Sequence, residues 1–178
     1  MAIPFRLFLV ALLGLSCSGT VIAEKAQSLK AVASWTGSGR VTQIGTNATE
    51  FLGTLKGIMY VETAAGALNE AFIECTAKQT LKEKSQTSIS GNCGIVVSGE
   101  DNVYATYQCA GEPGACSGRF KLTEGTGRFK GISGESPMTV RSPLRFLAND
   151  LHGQESITIS HGVLILSDLS YSVRGGSR

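Results

Sequence analysis

Residues able to carry chemistry are few in this chain, and their spacing is unhelpful. It holds five cysteines and two histidines in 178 residues. Cys75, Cys93, Cys109 and Cys116 include no Cys-x-x-Cys pair, and His152 and His161 both lie well downstream of them. That is not the ligand spacing of a zinc site. The two histidines are nine positions apart across a change from helical to strand patterning, which makes a poor metal pair. There is no Gly-x-Ser-x-Gly elbow to present a nucleophilic serine. General acid–base catalysis needs two titrating groups converging on one substrate. Only His161, Tyr107 and Tyr171 fall on the apolar faces described below, and a lone histidine on such a face is usually a core residue. These positions assign no catalytic residue, no metal ligand and no cofactor.

The cysteines read better as staples. Residues 1–23 have the form of a secretory signal peptide: Arg6, the apolar run Leu7 to Leu15, then Val21-Ile22-Ala23 before a cut. The run is shorter than the roughly 20 apolar residues a membrane-spanning helix needs. The expected mature chain is 24–178, one secreted or periplasmic domain. A lipid anchor on Cys17 is the competing reading. The lipoprotein motif wants Leu three positions ahead of that cysteine, where Gly14 stands. Disulfides suit such a compartment. Cys75 with Cys93 and Cys109 with Cys116 is the favoured pairing of the three that four cysteines allow, because the second encloses a Pro- and Gly-containing turn.

The composition narrows the class further. A net charge of +2 and 42% hydrophobic residues argue against disorder and against a nucleic-acid partner. Alternation of apolar and polar residues at period two dominates the chain. It marks strands at 34–44, 49–62, 71–81, 88–97, 103–109, 118–123, 131–141 and 156–173. In the last, the odd positions Ile157, Ile159, His161, Val163, Ile165 and Tyr171 form the apolar face, and Gly162 suggests a bulge. One helix is expected near 142–152, with Ser142 as cap, Pro143 in its first turn and Leu144, Leu147 and Leu151 on one face. Eight one-sided strands must each bury a face. The expected fold class is therefore all-β, an eight-stranded antiparallel barrel, with a two-sheet sandwich as the alternative.

Gly118-Arg119-Phe120-Lys121-Leu122-Thr123-Glu124-Gly125-Thr126-Gly127-Arg128-Phe129-Lys130-Gly131-Ile132-Ser133-Gly134 is a distinctive run. It resembles the strand–turn–strand signature of the allene oxide cyclase and dirigent barrel superfamily, and more closely the secreted bacterial proteins grouped with that barrel. Segments like Gly57-Ile58-Met59-Tyr60-Val61-Glu62 also occur there. The resemblance implies an eight-stranded antiparallel barrel, oligomeric in many plant members, and leaves the activity open, since no working residue of either plant group maps onto this chain. Within the run, Gly-Arg-Phe-Lys occurs twice, at 118–121 and 127–130, which reads as two neighbouring strands. Its glycines are one residue too widely spaced for a dinucleotide fingerprint, and read as turn and packing positions.

Parity places Trp35, Phe51, Met59, Tyr107, His161 and Tyr171 toward the interior, the candidate ligand-facing set. A barrel of eight strands is just wide enough to be filled by side chains or to hold one small ligand. The expected function is a non-catalytic barrel that binds a small apolar ligand in its lumen. The alternatives are an isomerase or cyclase acting on a lipid-like substrate, or an envelope structural or interaction protein. Arg119, Arg128, Arg141 and Arg145 form a loose basic group, read as a solvated face with an anion site as the rival reading. No transmembrane span and no nucleic acid are expected, and a homo-oligomer is consistent with the resemblance.

Overall fold

A computed structural model describes residues 27–63, 66–82, 85–142 and 156–173. The strands are β1 (Gln27–Gly45), β2 (Ala48–Val61), β3 (Ala71–Lys82), β4 (Gln86–Ser98), β5 (Asp101–Glu112), β6 (Ala115–Gly125), β7 (Ile132–Arg141) and β8 (Ser156–Val173). Each pairs antiparallel with the next, and β8 pairs back onto β1, so the sheet closes into a barrel. Closure satisfies every strand edge and settles the choice against a sandwich. The signal-like 1–23, Cys17 and nearly all of the expected helix at 142–152 lie outside the described residues. Ser142 lies within them and donates its hydroxyl to the His161 carbonyl at 3.0 Å.

Alternation in sequence becomes alternation in space. In β3 every odd residue from Ala71 to Leu81 is buried, Gln79 included, while Phe72, Glu74, Thr76 and Lys78 face out. In β1, Ala31, Ala33, Trp35 and Val41 point in. The half of the barrel where β1 begins is solidly filled. Met59, Ile95, Val103, Leu122 and Leu169 pack there, with Leu68 from the β2–β3 connection and Phe129 closing the end. Phe129 belongs to a 3₁₀ turn at Gly127–Phe129, entered through a positive φ of 55° at Gly127. The second Gly-Arg-Phe-Lys copy is therefore a turn and not a strand, and its phenylalanine plugs the barrel while Phe120 of the first copy packs in β6.

The largest departure from expectation is in β8. Inward residues are Ser160, Leu164 and Leu166, then Leu169 and Tyr171, so the parity changes between 166 and 169. Register shifts against both β1 and β7 place one extra residue of β8 at this point. The opposite strand carries Ser136-Pro137, and proline has no N–H to offer a ladder. The buried Ser136 hydroxyl accepts the Asp168 N–H at 3.3 Å instead. Val163 and Ile165 consequently face outward, and His161 is exposed, with its Nδ1 3.2 Å from the Thr36 hydroxyl. Gly162 is not the bulge. It pairs in register with Trp35, and a Cβ there would collide with the indole ring.

Both expected disulfides are present, Cys75–Cys93 and Cys109–Cys116. Cys75 and Cys93 are direct cross-strand partners on the inner face of β3 and β4. Cys109 and Cys116 bridge the β5–β6 hairpin.

Candidate functional site

Beyond the packed half, the lumen keeps a small cavity. The cavity is lined by Ala33, Trp35 and Leu164 on β1 and β8, by Phe51, Leu55 and Ile73 on β2 and β3, and by the Cys75–Cys93 bridge and Tyr107 on β3 to β5. Space open to the centre of a water molecule amounts to about 40 Å³. One water needs roughly 10–15 Å³ on this measure, whereas an engineered cavity that binds benzene measures about 150 Å³. The lumen thus admits a slender group of a few heavy atoms, and its walls are almost wholly apolar.

Polar groups in the wall are few and neutral. Tyr107 donates its hydroxyl to the Thr76 carbonyl at 2.9 Å. It reaches across β4 because its register partner is Gly91, where a Cβ would meet both the Thr76 carbonyl oxygen and the tyrosine ring. Burial pushes the Tyr107 phenol well above its ordinary range, so it stays protonated. Gln79 donates from Nε2 to the Thr87 hydroxyl at 2.9 Å, both buried. Ser160 supplies one more hydroxyl to the wall. No side chain of this lining ionises at neutral pH, and a phenol held protonated on a carbonyl is not half of an acid–base pair.

Of the six residues expected to face a ligand, Trp35, Phe51 and Tyr107 line the cavity. Met59 and Tyr171 are buried in the packed half of the barrel and do not line the cavity. His161 is outside the barrel altogether. Gln79, Ser160, Met138, Val140 and Leu164 were not among the six. Gln79 was readable, since it shares the odd face of β3 with Ile73 and Cys75. Ser160 and Leu164 were hidden by the β8 bulge, for which Pro137 was the available signal.

A larger hollow of about 530 Å³ lies on the outer wall over Ser88, Ser90, Gln108 and Arg119. It is open and lined by a mixture of serines, Gln108, Arg119, Ala110 and Gly118, so it encloses nothing. The arginines do not assemble into an anion site: Arg119 pairs with Glu135 and Arg128 with Asp101, each at 3.0 Å. Arg145 lies outside the described residues. Among the described residues there is no group of three His, Cys, Asp or Glu side chains placed to hold a metal, and no helix long and apolar enough to cross a membrane. The chain matches no protein-family model, and no curated protein resembles it significantly.

Proposed function

We propose that the protein is a secreted or periplasmic, non-catalytic β-barrel whose lumen holds the slender apolar part of a small neutral ligand. The observation that carries this reading is a cavity walled by apolar side chains, closed at one end, with no ionising group in its lining. A charged ligand would lose its hydration there without an ion partner in the wall. The signal-like N-terminus and the two disulfides support an oxidising compartment. The closed eight-stranded barrel supports placing the chain near the allene oxide cyclase and dirigent barrels, as the Gly118–Gly134 run suggested.

Trp35 is the chain's one tryptophan and lines the cavity, so it reports on occupancy. Its emission is followed while n-alkanols from ethanol to octanol are added. Each methylene that enters the lumen is worth about 0.8 kcal/mol, or roughly fourfold in affinity. The expected result is a saturable shift whose affinity climbs about fourfold per carbon and then levels when the space is full. An unsaturable drift with every alcohol would defeat the proposal.

A further inference from the structure

Tyr107 commits its proton to the Thr76 carbonyl, and Gln79 commits its amide to the Thr87 hydroxyl. Ser160 does neither. Its side chain lies in the cavity wall, 8% exposed, and among the described residues no group donates to or accepts from its hydroxyl. Buried polar groups in proteins are nearly always paired, and an exception calls for a reason. Among the described residues no fully enclosed side-chain oxygen or nitrogen lacks a partner. The Ser160 oxygen is therefore not sealed in, and it opens onto the cavity it lines. The β8 bulge put it there, turning in a hydroxyl that does not ionise in place of the His161 imidazole that does.

The surroundings keep that hydroxyl uncovered. Its register partner on β1 is Gly37. A Cβ at Gly37 would come within 2.9 Å of the Ser160 oxygen, 2.7 Å of a Leu55 methyl and 3.3 Å of the Trp35 ring. The hydroxyl thus sits in a corner formed by Trp35 and Leu55, which the glycine leaves open. Gln79 adds a second unused atom. With its Nε2 on Thr87, its Oε1 has no partner among the described residues and, by the same argument, is open to the lumen space that Gln79 lines. A serine hydroxyl both donates and accepts, whereas a carboxamide oxygen only accepts. A ligand hydroxyl can therefore answer either atom. An ether or ketone oxygen can answer Ser160 alone, and a hydrocarbon neither. An ammonium or carboxylate would bring its charge into a wall without an ion partner.

We propose that the lumen selects a slender aliphatic alcohol, with Ser160 as the anchor for its hydroxyl. This deepens the proposed function and rests on the lumen being the ligand site. The test compares 1-propanol with its isomer methoxyethane, which has the same heavy atoms but can only accept. Both are titrated against Trp35 emission, and xenon NMR reports on the cavity without any hydrogen bond. A purely apolar void would favour the ether, because the alcohol gives up more hydrogen bonds to water on entry. The expected result in the parent is 1-propanol bound at least as tightly as methoxyethane. Ser160→Ala should weaken 1-propanol about fivefold, the worth of one neutral hydrogen bond, so that the ether becomes the tighter ligand. Xenon binding should persist in that variant. Its melting temperature should hold or rise, since the hydroxyl removed has no partner in the protein. Xenon entry with methoxyethane preferred by the parent overturns the anchor and leaves the lumen reading standing, and this comparison needs no variant. Unchanged 1-propanol affinity in Ser160→Ala overturns the anchor too, as does a clearly lowered melting temperature. Xenon excluded from the parent lumen overturns both the anchor and the lumen reading.

Discussion

Ala33→Val places two more carbons into the lumen from a wall position that is 2% exposed. If the lumen is a true void, they enter it without displacing anything. Two buried methylene equivalents are worth about 1.6 kcal/mol, and valine suits a strand better than alanine. If the side chains already fill the barrel, the same carbons overpack it at a cost of about 1–3 kcal/mol. The two cases therefore differ in sign. The space of about 40 Å³ beside Ala33 would hold roughly three waters, so two methyl groups fit. The expected gain is about 1–1.5 kcal/mol in urea unfolding, or about 3–5 °C in melting temperature for a chain of this size. The Trp35 response to alkanols should weaken in the same variant, because the ligand's space has been taken. A loss of 1 kcal/mol or more with a native-like spectrum would refute the hollow lumen.

Further expectations follow from the core, the bridges and the buried phenols. Phe120→Ala should cost about 3–5 kcal/mol by equilibrium unfolding, since Phe120 is fully buried. Replacing Cys75 and Cys93 together by serine should cost about 3 kcal/mol from the 18-residue loop they close, and the same change at Cys109 and Cys116 about 2 kcal/mol; denaturant midpoints measured with and without reductant check both. Burial raises the pKa of Tyr107, and of Tyr171 against a smaller opposing effect of Arg128. The folded state thus holds these protons more tightly than the unfolded chain. Their contribution to stability is complete below the ordinary tyrosine pKa of about 10 and is lost as the pH rises beyond it toward the folded values. Melting temperature followed from pH 8 to 12 should fall in the upper part of that range, and less steeply in Tyr107→Phe.

The fold was legible because alternation is a local property of each strand. β1 to β5 each kept one parity from end to end, and their buried residues are the odd ones that the sequence suggests. Strand ends were less visible: β1 begins at Gln27 and β6 at Ala115, ahead of the strongest apolar residues. In β8 the alternation misled. A single bulged residue inverts every side chain on one side of it, and the apolar row Val163 and Ile165 looks identical whether it faces the core or solvent. Only the register of β8 against β7, broken across Ser136-Pro137, decides the matter, and register is not local. That one inversion moved His161, the one histidine considered for chemistry in the lumen, to the outside. The second Gly-Arg-Phe-Lys copy misled for a related reason: a buried phenylalanine after glycine serves a strand or a plug equally well.

The central claim is that the lumen is an apolar ligand site, and crystals exposed to xenon and to 1-propanol test it most directly. Diffraction should show either probe in the space bounded by Trp35, Phe51, Tyr107 and Leu164, with the propanol hydroxyl toward Ser160 or Gln79 and the barrel otherwise unchanged. Side chains of Leu55, Ile89 or Leu164 closing the space, with both probes absent from it, would contradict the account.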